Sequence, residues 1–219
     1  MEASDNKKAL ILSVIGILVL IIAVVGVSFA MFTFSGTGTK ENIIKTGTIT
    51  IDFTDSSNNF ELKNTYPMSD EKGIKQTDNK ATFGVKGEWS SSPMTIVYDL
   101  GLTGIVQGST LTNEYIKIVL LDSNGKVLVG EKDDKGNLKA GVSIASLAKN
   151  NGANNLIKEY ALTSGTLTTT GVADTYTIIA YVSDKYDLPT EKIETGGETK
   201  VITKAESYSF KIGIGAKQQ

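Results

Sequence analysis

The 219-residue chain contains no cysteine and no histidine. Without cysteine there is no disulfide framework, no thiolate nucleophile and no Cys-ligated zinc. Without histidine the chain lacks the usual general base near neutral pH and the commonest metal ligand. Serine hydrolases of the Ser-His-Asp kind and H-E-x-x-H metalloproteases are therefore excluded. A large excess of either charge is missing too: 22 basic against 24 acidic residues leave a net charge of -2, with no electrostatic footprint for nucleic acid. Stability has to come from a hydrophobic core.

The most prominent feature present is at the N-terminus. Lys7 and Lys8 run into an unbroken apolar segment, residues 9–30, with fifteen Leu, Ile, Val or Phe residues. As a helix it would span roughly 33 Å, enough for a hydrocarbon core of about 30 Å. The first basic residue after it is Lys40, so the positive-inside rule keeps the N-terminus in the cytoplasm and exports the chain from about residue 31 onward. Ser28 and Ala30 satisfy the small-x-small rule of a signal peptidase site with Met31 as the new N-terminus, yet the apolar stretch is longer than an ordinary signal-peptide core. Residues 1–30 thus read as a signal peptide or as a membrane-anchor helix. Loss of Glu2, Asp5, Lys7 and Lys8 removes two acids and two bases and leaves the charge unchanged.

From Thr46 onward apolar residues recur with period two, the pattern of half-buried strands. Ile49, Ile51 and Phe53 form one such run, Ala81, Phe83, Val85 and Trp89 a second, Met94, Ile96, Tyr98 and Leu100 a third, and Tyr208, Phe210, Ile212 and Ile214 a fourth. Residues 115–121 (YIKIVLL) and 176–182 (YTIIAYV) are apolar on both faces and read as central strands. Asn124-Gly125 after the first of these predicts a tight hairpin into residues 126–129, both turn residues tolerating positive φ. A short crossover helix is expected over residues 142–149, capped by Ser143 and stopped by Asn150-Asn151-Gly152. Residues 184–200 read as a long exposed loop or flexible hairpin. The sum is an all-β, antiparallel sandwich over residues 47–219, jelly-roll-like or immunoglobulin-like, behind the N-terminal helix. Periodicity also allows two smaller sandwiches divided near Gly101 to Gly108.

The acidic turns Asp122-Ser123-Asn124-Gly125 and residues 131–137 (EKDDKGN) resemble cation loops at a glance. Neither supplies the Asp-x-Asp/Asn-x-Asp/Asn-Gly pattern with a glutamate at position twelve, so both read as solvated hairpin turns. Residues 66–73 (YPMSDEKG) read as an edge turn that Asp70 would cap. Leu188-Pro189-Thr190-Glu191 lacks the glycine of a sortase signal. No metal or cofactor site is expected, and glycoside hydrolysis would require two carboxyl groups about 5 to 9.5 Å apart in one pocket. Residues 31–46 form a flexible N-terminal segment in which Met31, Phe32 and Phe34, with Ile43 and Ile44 further on, are candidate residues of a donor strand. Such a strand adds to an exposed sheet edge through main-chain hydrogen bonds and is chosen by its side chains.

Lys7-Lys8, the long apolar run, residues 26–32 (GVSFAMF), Lys45-Thr46-Gly47-Thr48-Ile49 and the Leu62 to Pro67 segment resemble the camelysin and TasA-type exported proteins of Gram-positive bacteria. The resemblance covers roughly residues 7–100. It implies a jelly-roll-like sandwich, processing by a dedicated signal peptidase, and assembly into matrix fibres by donation of the segment from Met31 to about Ile44. The family's Pro-Gly-Asp turn reads Pro67-Met68-Ser69-Asp70 here. The protease label of some members does not transfer to a chain without histidine or cysteine.

The expected function is a non-catalytic, extracellular or cell-surface structural subunit. Its partners would be signal peptidase, the membrane through residues 9–30, and other copies of itself or other surface proteins. The alternative is a membrane-tethered extracellular binding or adhesion module, pilin-like or of a virion surface. Mass spectrometry of the mature N-terminus separates the two. A chain that starts at Met31 is the expected result for the subunit, and an intact apolar segment is the result for the tether.

Overall fold

The computed structural model describes residues 33–37, 43–44, 47–53, 59–63, 65–89, 94–148, 150–195, 198–203 and 206–219. Residues 9–30, the Ser28–Ala30 processing signal, Met31 and Phe32 lie outside them. The chain divides into two compact units, Met1–Phe34 and Ser35–Gln219. Among the described residues no helix is long and apolar enough to cross a membrane.

In chain order the elements are β1 (Thr33–Thr37), β2 (Ile43–Ile44), β3 (Gly47–Phe53), β4 (Asn59–Lys63), α1 (Asp70–Gly73), β5 (Lys80–Glu88), β6 (Ile96–Val106), β7 (Ile116–Asp122) and β8 (Val127–Val129). They continue with β9 (Glu131–Lys132), β10 (Leu138–Ala140), β11 (Val142–Ser143), α2 (Ile144–Leu147), β12 (Ala161–Leu167), β13 (Ala173–Val182), β14 (Thr190–Thr195), β15 (Glu198–Thr203) and β16 (Ser207–Gln218). The first sheet runs β1-β16-β6-β12, with β4 also on β16. The second runs β11-β7-β13-β5-β3-β2, with β8 also on β7. All strand pairings described within these sheets are antiparallel. The all-β expectation therefore holds.

The two sheets meet through side chains that the period-two pattern aims inward. In the first, Tyr98 and Leu100 on β6 stand opposite Ala216 and Ile214 on β16, and Phe210 stands opposite Phe60 on β4. The Phe60 and Phe210 rings stack with centroids 5.0 Å apart. In the second, Tyr176 on β13 pairs with Phe83 on β5, and Ile178 with Leu120 on β7. The sheets are joined where the Tyr98 hydroxyl reaches across to Asp174 Oδ2 at 2.5 Å and to the Tyr176 hydroxyl at 2.6 Å. Burial pushes the Tyr98 phenol far above its ordinary value, with the two hydrogen bonds adding to it, so it stays protonated and able to donate.

Parts of both sheets are also covered on their outer faces. Val119 and Ile179 form an outer cluster with Tyr181, packed beneath Met68, Ile74, Leu121 and Leu138. This is why residues 115–121 and 176–182 are apolar at nearly every position: β7 and β13 lie side by side at the centre and bury both faces. On the first sheet the cover is the loop at residues 150–160. Gly101 on β6 and Gly215 on β16 let it approach, since a Cβ at Gly101 would stand 2.5 Å from Ile157 and one at Gly215 2.8 Å from Leu156.

Asp99 holds that loop down. Fully buried, it accepts hydrogen bonds from Asn154 N (3.1 Å), Asn154 Nδ2 (2.9 Å), Leu156 N (2.8 Å) and the Ser164 hydroxyl (2.6 Å). Burial by itself would raise its pKa, but these donors outweigh burial and lower it. The same loop carries non-glycine residues with left-handed backbone, Asn155 (φ 57°), Glu159 (φ 63°) and Tyr160 (φ 50°). Such conformations are strained by about 1 to 3 kcal/mol each, and the Asp99 hydrogen bonds offset that strain.

The structure corrects several local expectations. β6 runs unbroken from Ile96 to Val106 through the suggested boundary at Gly101 to Gly108, so the sheets do not split there. Its residues 96–102 are buried on both faces, not one. Residues 70–73 form a helical turn instead of an edge turn, with Ser69 at the N-cap and no side-chain cap bond. Asp70 instead receives Lys117 Nζ at 2.7 and 2.8 Å together with the Tyr181 hydroxyl. The expected helix over 142–149 is one turn, Ile144–Leu147; Ser143 caps it by accepting from Ser146 N at 3.3 Å, while Val142 and Ser143 pair with β7. The segment read as a loop or hairpin is a hairpin, β14 on β15, forming a two-stranded sheet of its own.

Asp99→Ala would leave the backbone N–H groups of Asn154 and Leu156 and the Ser164 hydroxyl without their acceptor, while Asn154 Nδ2 keeps the Tyr98 carbonyl at 3.1 Å. It is expected to destabilise the fold by on the order of 3 kcal/mol in urea unfolding. Because the fold prefers Asp99 ionised, its contribution is full above the ordinary value of 3.8 and is lost as pH falls through the lower folded value.

Candidate functional site

The two acidic turns prove to be copies of one device. In the first, Asp122 N donates to Lys126 O at 3.0 Å and Gly125 N to Asp122 O at 3.0 Å; in the second, Asp133 N donates to Asn137 O at 2.9 Å and Gly136 N to Asp133 O at 2.9 Å. Each aspartate turns its Oδ1 inward onto two backbone N–H groups, of Asn124 and Lys126 in one turn and of Lys135 and Asn137 in the other. Only the glycine carries positive φ, 76° at Gly125 and 83° at Gly136. The turn at Asn124-Gly125 is therefore a three-residue loop closed by a left-handed glycine, not the two-residue turn with both residues at positive φ. Among the described residues no group of three or more acids is placed to hold a metal ion.

The candidate donor residues are divided between strands. Phe34 belongs to β1, in the order of the first sheet, while Ile43 and Ile44 are β2 and pair with Thr48 and Gly47 of β3 in the second. Ser28, Ala30, Met31 and Phe32 lie outside the described residues.

The most elaborate arrangement of polar groups surrounds the connection from β6 to β7, residues 107–115. Glu206, just before β16, accepts from Thr110 N at 2.9 Å, from Leu111 N at 2.7 Å and from the Ser109 hydroxyl. The Ser109 bond foremost, then the backbone amides, holds the Glu206 carboxyl down at about 2. Asn113 ties the other end of the connection. Its Oδ1 accepts from the Tyr208 hydroxyl at 2.6 Å, its Nδ2 donates to the Tyr160 hydroxyl at 3.2 Å, and its backbone N–H donates to Gln107 Oε1 at 2.9 Å. Tyr115 rests on the buried Tyr186, ring centroids 5.1 Å apart, and the Tyr186 hydroxyl meets Thr110 Oγ1 at 2.8 Å.

These contacts frame an open cleft of about 530 Å³ lined by Gln107, Thr110, Thr112, Asn113, Glu114 and Tyr115, with Ala145 and Ala148 from the α2 turn. Its lining has neither a basic side chain nor a thiol. Sequence reading missed it because its residues are ordinary loop polars, brought together only when β7, α2 and β16 converge. The one signal was the density of Asn, Thr and Gln between two strong strands.

No known protein family matches the chain, and no curated protein or solved structure matches it.

The Glu206 geometry fixes a pH dependence. The folded pKa lies below the ordinary 4.5, so the stabilisation is complete above pH 4.5 and is lost as pH falls toward about 2. Glu206→Gln is expected to lower the melting temperature at neutral pH and to flatten the melting curve's dependence on pH between 4.5 and about 2. Thermal melts across that window measure both.

Proposed function

We propose that the chain is a non-catalytic, exported structural subunit of the cell surface or extracellular matrix, with a jelly-roll body and an N-terminal strand available for exchange between copies. The jelly-roll reading is supported by strand order. Counting β4, β5, β6, β7, β8, β12, β13 and β16 as one to eight and leaving out the flanking β1, β2, β3 and β11, one sheet reads 1-8-3-6 and the other 2-7-4-5. That is the order produced when a long antiparallel hairpin wraps around two sheets.

The observation that carries the functional reading is the position of β1. β1, Thr33–Thr37, stands next to β16 in the order of the first sheet, with Gly36 inside it and Gly38 just after it. A terminal strand in that position can leave one sheet and join the sheet of a second copy with the same main-chain hydrogen bonds. Cleavage after Ala30 would free its upstream end, as the resemblance to TasA-type proteins implies.

The electrostatics support a non-catalytic role. A carboxylate glycosidase needs one acid held protonated by a raised pKa. Every described carboxyl with a resolved shift, Asp70, Glu71, Asp99, Asp133 and Glu206, is lowered instead. The second reading, a tethered binding module, is favoured by the polar cleft beside residues 107–115.

Protein beginning at Met31 is expected to form fibres whose yield rises with concentration, visible by electron microscopy. Replacing Phe32 and Phe34 by Ser should leave the body folded and abolish the fibres. Monomers alone at high concentration would overturn the structural-subunit reading.

A further inference from the structure

We infer that the cleft beside the β6–β7 connection is a binding site for a neutral saccharide. The inference stands apart from fibre formation, since it concerns different residues and does not require β1 to move.

The argument starts from which polar groups the fold has left over. Asn113 and Glu206 are committed to holding the connection and have little capacity for a ligand. Four others are not. Gln107 spends its Oε1 on Asn113 N, which turns its Nε2 away as a donor without a partner among the described residues. The Thr112 hydroxyl, the Tyr115 phenol and the Glu114 carboxylate have no hydrogen-bond partner among the described residues either, and Gln107 and Glu114 are exposed to solvent. The cleft therefore offers an amide donor, two hydroxyls that both donate and accept, and a carboxylate acceptor.

That inventory selects among ligand classes. With Glu114 in the lining, Glu206 bonded to Thr110 and no basic side chain in the lining, phosphate, sulfate and acidic glycans are repelled. A purely apolar ligand would bury the four free groups without partners, an unfavourable exchange. A neutral polyhydroxylated ring satisfies them, because each of its hydroxyls can both donate and accept.

The apolar part of the lining has the matching shape. Tyr115 is half-buried, and its ring packs against that of Tyr186 at an interplanar angle of 51°. Ala145 and Ala148 add two methyl groups from the α2 turn. A pyranose presents apolar C–H faces and a polar rim, so it can set a face against Tyr115 while its rim meets Gln107, Thr112 and Glu114. The volume lies within the range usual for small-ligand sites, about 300 to 1,000 Å³. Because the cleft is open and water competes for every hydrogen bond, the expected affinity is weak, with a dissociation constant on the order of 1 mM.

The test is a titration of the full chain, held in a detergent without a sugar headgroup, with cellotetraose, maltotetraose and tetra-N-acetylchitotetraose, monitored by amide chemical shifts. At least one of the three should shift the amides of residues 107–115 and 145–148 saturably below about 10 mM. Gln107→Glu keeps the acceptor that Asn113 uses and removes the donor, so it should weaken that binding about tenfold or more while leaving the remaining spectrum in place. Tyr115→Phe should retain part of the binding and Tyr115→Ala should lose it. The proposal is overturned if none of the three sugars shifts those amides at about 10 mM. It is equally overturned if the shifts map elsewhere, if Gln107→Glu binds as the unmodified chain does, or if n-butylamine, a simple cation, displaces the sugar response with its own tighter binding.

Discussion

Strand β6 places two fully buried polar side chains next to each other, Tyr98 and Asp99, and the remainder of the body is arranged around them. Successive residues of a strand point to opposite faces. Tyr98 therefore enters the space between the sheets and bonds Asp174 and Tyr176, while Asp99 enters the outer face and bonds the loop at residues 152–156. One strand thus fixes the partner sheet on one side and the covering loop on the other. A hydrophobic pair at these positions would pack as densely but would not select one register, because apolar contact is non-directional and hydrogen bonds between fixed groups are directional.

The same economy recurs across the second sheet. Asp70 on the α1 turn meets Lys117 of β7 and Tyr181 of β13, so a single carboxylate links a covering segment to two neighbouring central strands. Burial would raise Asp70, yet the Lys117 ammonium and the Tyr181 hydroxyl lower it. Asp122 and Asp133 order their turns, and Glu206 orders the connection from β6 to β7. Each of these acids accepts hydrogen bonds that hold a covering segment, a turn or a connection in place. The cleft stands out against that background because the Thr112 hydroxyl, the Glu114 carboxylate and the Tyr115 phenol in its lining have no hydrogen-bond partner among the described residues.

Much of the body was legible from the period of its apolar residues. Ala81, Phe83 and Val85, and Tyr208, Phe210, Ile212 and Ile214, are buried as their alternation requires. The doubly apolar runs 115–121 and 176–182 are indeed the adjacent central strands β7 and β13. Ser143 caps a helical turn as its residue type suggests. The misreading of β6 has a local cause: it looked half-buried because its second face holds Val97, Asp99 and Gly101, only one of which is large and apolar. Whether such residues face water or a covering loop depends on residues 150–160, roughly 50 positions or more away in the chain.

The amino-acid order by itself determined the absence of thiol and imidazole chemistry, the antiparallel all-β class and the identity of the central strands, because these depend on residue type and on periods of two that act locally. Only the tertiary structure decided which edge each strand joins, which acids are consumed as internal clamps, and that Gln107, Thr112, Glu114 and Tyr115 line one cleft. Those outcomes depend on contacts between distant segments. The hydrogen-bond partner of a buried acid is set by the path of the backbone through space, and no local pattern in the chain encodes it.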